Sequence, residues 1–105
     1  MIVRPFHFRK FVTTAGTREQ LTTNERHVTD LLIQAEIDNT GYVYVGNNQV
    51  SSSNYMALLV AGASLSLDSA DLGSGDAKID PSEIWLDVSV STDGVLVGFM
   101  EQVSR

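Results

Sequence analysis

Short runs along this chain alternate apolar and polar residues, and no long segment repeats its apolar positions at the 3.6-residue period of a helix. In IVRPFHFRKFV, Phe6 and Phe8 fall on one face and His7 and Arg9 on the other, as in a half-buried strand, and Pro5 directs that strand to a sheet edge. TTAGTREQL reads as a turn at Gly16 and a short strand ending at Leu21, and TTNE as a turn or a weak helix cap with nothing helical behind it. HVTDLLIQAEI supplies Val28, Leu31 or Leu32, Ile33, Ala35 and Ile37 for an apolar strand placed centrally, its alternation strongest from Ile33 onward.

DNTG then breaks the chain, and Asn39 to Gly41 have the side chains and backbone freedom of a hairpin turn leading into the strand YVYVG. NNQVSSSNYMALLVAGA passes from polar to apolar and ends in a turn at Ala61-Gly62, ahead of SLSLD, where Leu65 and Leu67 alternate with serines. SADLGSGDAKIDPS reads as a loop. EIWLDVSVS sets Ile84, Leu86, Val88 and Val90 against Trp85, Asp87, Ser89 and Ser91, and TDG turns it into VLVGFM, where Val95, Val97 and Phe99 oppose Leu96, Gly98 and Met100. Seven or eight short strands between turn clusters predict an all-β fold, an antiparallel sandwich or barrel. Trp85, Leu96 and Met100 on the second face imply that the closing hairpin is covered on both sides, by another copy or by a second sheet.

At 105 residues the chain fits one domain, read as a basic arm or first hairpin over 1–27 and a body over 28–105. Five cations against two carboxylates give the first 27 residues +3, and two cations against eleven carboxylates give the remainder -9, for a total of -6. That balance argues against nucleic acid, which needs a concentrated basic face. It suits docking between copies or onto an acidic partner, or a solvated first hairpin. Apolar runs fall short of the ~20 residues of a membrane helix, and the cation-bearing N-terminus lacks the apolar core and cleavage site of an export signal. Without cysteine there is no disulfide, thiolate nucleophile or Cys-ligated zinc.

Candidate chemistry is thin. Serines, two histidines and many carboxylates are present without a nucleophile elbow, and His7 and His27 fall in strands as surface or interface residues rather than triad members or metal ligands. Asp68, Asp71, Asp76 and Asp80 are oxygen donors of the kind calcium takes, at a spacing that is wrong for an EF-hand, so solvent-facing turns are expected there. Glu83 and Asp87 are glycosidase candidates only in being acidic. Tyr42, Tyr44, Tyr55 and Trp85 beside Asn47, Asn48 and Asn54 make a possible sugar platform, against which stands simple packing of Tyr42 and Tyr44 on one face. No cofactor and no metal is expected.

LLIQAEIDNTGYVYVGNNQVSSSNYMALLVAGASLSL followed by EIWLDVSVSTDGVLVGFM resembles a module recurrent in small virion proteins of tailed bacteriophages. The likeness spans about residues 31–100 and lies in the wording of turns and strands, not in a catalytic motif. It implies a non-enzymatic, jelly-roll-like β-sandwich, made in the host bacterial cytoplasm and carried in the virion. The implied role is capsid decoration or cement, oligomeric and commonly trimeric, bound to the outer surface of the major capsid protein. Tail, neck or fibre attachment is the alternative within the virion, and a carbohydrate-binding module is the alternative outside it. Phe6, Phe8, Arg9, Lys10 and Phe11, rings interleaved with cations, are the expected capsid-docking residues, and Trp85 and Met100 the expected contacts between copies.

Overall fold

The computed structural model describes residues 2–68 and 78–103. Eight strands, β1 (Ile2–Phe11), β2 (Glu19–Gln20), β3 (Asp30–Ala35), β4 (Val43–Gly46), β5 (Ala57–Leu59), β6 (Ser64–Asp68), β7 (Trp85–Val88) and β8 (Gly94–Val103), form two four-stranded antiparallel sheets. The first sheet has the order β1-β8-β3-β6 and the second β2-β7-β4-β5, which is the strand order of a jelly roll. The fold class expected from the strand pattern is therefore the one observed.

Alternation decides which side chains enter the sandwich. Val12, Ile33, Val43, Val45, Leu86 and Val95 are fully buried between the sheets, each such side chain contributing about 1.5–3 kcal/mol of hydrophobic stabilisation. Phe6 and Phe8 pack against the same core from β1. Phe6 stacks on Phe99 with ring centroids 5.2 Å apart, and the Arg26 guanidinium lies 4.5 Å from the Phe6 centroid. Pro5 sits on β1, an edge strand as expected, since a residue without an N–H is tolerated there. β3 is interior, also as expected.

The connections differ from the hairpins read from sequence. β1 pairs with β8 and β2 with β7, so residues 1–27 supply strands to two different sheets and do not form a first hairpin. DNTG carries the chain from β3 in the first sheet to β4 in the second, and TDG carries it back from β7 to β8. Among the described residues, β4 and β5 are the consecutive strands that pair.

Both misread turns are corners, and they clasp each other. The Asn39 side chain donates to the Gly94 carbonyl at 2.8 Å and accepts from the Gly94 N–H at 3.0 Å, like one more rung of a ladder. The buried Asp93 carboxylate accepts from the backbone N–H groups of Gly41 at 2.8 Å and Thr40 at 3.3 Å. Gly41 is required by contact: a Cβ there would fall on Ser89 Oγ and the Val90 side chain. Thr92, at φ 74°, holds a left-handed conformation that is costly for a β-branched residue, and its N–H is fixed to the Val12 carbonyl at 2.9 Å.

Candidate functional site

The described residues hold no group of three or more His, Cys, Asp or Glu placed to bind a metal ion, and two of the carboxylates singled out above, Asp80 and Asp87, have structural partners. Asp80 caps the 3-10 turn Pro81–Glu83. It accepts from the Ser82 hydroxyl at 2.8 Å, the Ser82 N–H at 3.0 Å and the Arg26 N–H at 3.3 Å. Burial pushes its carboxyl up, but the Ser82 and Arg26 hydrogen bonds together outweigh that and hold it below the usual range. Asp71 and Asp76 lie outside the described residues, and Asp68 ends β6. Asp87 is buried and accepts from the Gly16 N–H at 2.9 Å and its neighbour Val88 N–H at 2.8 Å, while Glu83 is exposed. The first of these therefore anchors a loop.

Four of the five cations in the first 27 residues are ion-paired. Arg4 and Arg26 share Glu101 (3.4 and 2.8 Å), Arg9 meets Glu36 at 3.5 Å, and Lys10 meets Glu19 at 2.9 Å. Arg18, by contrast, has no ion pair or side-chain hydrogen bond among the described residues. Of the five expected docking residues, Arg9 and Phe11 are exposed, whereas Phe6 and Phe8 belong to the core packing and Lys10 is tied to Glu19. Period-2 parity is the cause: residues 6, 8 and 10 share the inward face of β1.

Two surfaces carry the expected copy-contact residues Met100 and Trp85. On the outer face of the first sheet, Met100 and Leu96 of β8 lie beside Leu32 of β3, exposed to 42%, 37% and 43%, with Gly98 between them. One cross-strand row reads Arg9, Leu96, Gln34, Ser64 and the next His7, Gly98, Leu32, Ser66. A Cβ at Gly98 would meet nothing nearer than 3.8 Å, so the glycine leaves a shallow dip in the strip. The β1 flank carries His7 and Arg9; the β6 flank carries serines and Asp68, beside Asp30 of β3.

The other surface lies on the opposite side of the sandwich. Trp85 is half-buried on β7 and lines an open groove of about 500 Å³ with Gly16, Thr17, Arg18, Asn48 and Gln49. Trp85 and Met100, the expected contacts between copies, thus lie on the outer faces of different sheets. The four-ring sugar platform is also not assembled. Tyr44 is buried with Tyr55 packed on it at 5.3 Å between centroids, and Tyr42 lies further along beside Ser89.

Within NNQVSSSN the polar residues divide. Asn47 accepts from the Gln49 N–H, Asn54 donates to the Gln49 carbonyl, and Ser51 meets Ser53, while Val50 is buried on Gly46, whose absent Cβ would lie 3.1 Å from it. The side chains of Asn48 and Gln49 make no such bonds among the described residues. Leu32, Thr17, Arg18 and Gln49 were not singled out from sequence. An outward apolar residue on β3 was a readable signal for the first, but nothing local joins Arg18 to a loop thirty residues away. No protein-family profile, curated protein or solved structure matches the chain.

Proposed function

We propose that this chain is a non-enzymatic structural protein of a tailed-phage virion, a capsid decoration subunit that self-associates through the outer face of its first sheet. The observation that carries the reading is the strip formed by Leu32, Leu96 and Met100, apolar and open to solvent on a regular sheet. Covering it removes apolar surface from water at about 25 cal/mol per Å². The flanks supply orientation: a two-fold axis parallel to the strands lays the His7 and Arg9 side of one copy over the Asp30 and Asp68 side of the other, with β8 facing β3. The resemblance of residues 31–100 to small virion proteins supplies the setting, and Phe11, exposed at the end of β1, is the expected docking residue left to meet the major capsid protein.

Sedimentation equilibrium tests the association. A dimer is expected for this packing, or a trimer for the arrangement the resemblance implies, and Leu96→Glu should return it to monomer without loss of fold. A wild-type protein that stays monomeric at about 100 μM, a weak-binding regime, would remove the reading. Imaging of particles carrying the protein tests the setting: many copies over the shell support decoration, a few at one vertex place it at the neck or tail.

A further inference from the structure

We propose that the groove over Trp85 is a binding site for a neutral saccharide. The inference is independent of the virion reading and rests on how the groove is built. Its floor is the chain's single tryptophan, and its walls are two loops that arrive from opposite ends of the second sheet. One wall, residues 13–18, is fixed by four hydrogen bonds: Thr13 N–H to Glu19 at 2.7 Å, Ala15 N–H to Ser91 Oγ at 2.9 Å, Gly16 N–H to buried Asp87 at 2.9 Å, and Thr17 N–H to the Thr14 carbonyl at 3.1 Å. The other, residues 47–54, is fixed by Val50 on Gly46 and by the Asn47 and Asn54 side chains. A site on anchored loops binds without the cost of ordering them.

What those anchored walls present is a set of unused hydrogen-bonding groups. The Thr17 hydroxyl, the Arg18 guanidinium, the amides of Asn48 and Gln49 and the indole N–H of Trp85 have no protein partner among the described residues. In the same loops Asn47, Ser51, Ser53 and Asn54 are engaged by side-chain hydrogen bonds, while the Thr14 and Ser52 hydroxyls, outside the groove lining, also have no partner among the described residues. An aromatic floor with amide and guanidinium donors around it matches a pyranose ring, which has an apolar C–H face and a rim of hydroxyls that both donate and accept. The volume of about 500 Å³ falls in the ~300–1,000 Å³ range of ligand sites. The buried Asp87 carboxylate beside the Gly16 wall and the net charge of -6 disfavour an anionic ligand such as a nucleotide, leaving Arg18 to bridge neighbouring hydroxyls.

The single tryptophan makes the test direct. The protein is screened on a printed array of bacterial and eukaryotic glycans, and the neutral oligosaccharides that bind are titrated to about 10 mM, above the ~1 mM Kd of weak binding, while Trp85 emission is followed. A saturable shift is expected, weakened at least tenfold in Arg18→Ala and in Asn48→Ala/Gln49→Ala. These side chains support no other part of the fold, so unchanged thermal melts are expected and Trp85 stays in place as reporter. An array with no neutral glycan bound, binding confined to charged glycans, or a shift that survives both variants would each overturn the proposal.

Discussion

Replacing Asn39 by alanine isolates the clasp that joins the two inter-sheet corners. Asn39 makes two hydrogen bonds to one residue, Gly94, at 2.8 and 3.0 Å, and Gly94 is buried. The two losses differ in cost. The Gly94 carbonyl keeps a second partner, the Glu36 N–H at 3.0 Å, so losing the amide donor should cost only the net worth of one bond, about 1 kcal/mol. The Gly94 N–H loses its acceptor inside the fold, and an orphaned buried donor costs about 1–2 kcal/mol. Asn39→Ala should therefore destabilise by about 2–3 kcal/mol, a sizeable part of the ~5–15 kcal/mol holding a domain together. At about 4–8 °C per kcal/mol for a chain near this size, Tm should fall by roughly 10–20 °C. Urea unfolding with an unchanged m-value measures the loss, and amide hydrogen exchange locates it, because Gly94 should lose protection out of proportion to the global change. A ΔΔG below about 0.5 kcal/mol, within the range of ordinary surface substitutions, or a Gly94 amide as protected as before, would refute the assignment.

Three other substitutions read separate parts of the structure. Thr92→Asn should raise stability by about 1 kcal/mol in the same urea assay, since asparagine tolerates the φ of 74° that a β-branched residue does not. Phe6→Ala removes the partner of both Phe99 and Arg26 and should cost about 3 kcal/mol by thermal denaturation. Glu19→Gln should flatten the acid side of the stability profile. The Lys10 ammonium, then the Thr13 N–H, hold the Glu19 carboxyl below its ordinary 4.5. Its contribution is therefore complete above that value, lost as pH falls through the lower folded value, and absent in the glutamine variant at every pH; melts from pH 7 to 3 in both proteins check this.

The facing of residues was legible in the chain, and their partnership was not. Alternation through Ile84, Leu86 and Val88 and through Val95, Val97 and Phe99 placed those side chains inward, where they are buried. A turn such as DNTG or TDG, however, reads the same whether the next strand lies beside its predecessor or across the core. The difference is made by Asn39 and Asp93 reaching over some 55 residues of sequence to each other's corner, a contact no local pattern contains. The same limit split the candidate surfaces. Met100 was visible as an outward apolar residue, but Arg18, Asn48 and Trp85 converge only once two loops have folded over one sheet. The inward placement of Phe6, Phe8 and Lys10 was hidden for a different reason: rings interleaved with cations satisfy a docking pattern and a core strand equally, and only the sheet on the other side of β1 decides between them.

The place of β8 in the first sheet has a consequence for how the protein is made. β8 lies between β1 and β3, so on a translating ribosome β1 stays without its ladder partner until residues 94–103 have been synthesised, after the other seven strands. The second sheet, whose members all precede β8, can pair earlier. Nascent chains stalled before Gly94 should thus hold the second sheet and no more than the β3–β6 pair of the first, and expose Phe6 and Phe8, making that interval the period of greatest risk of aggregation.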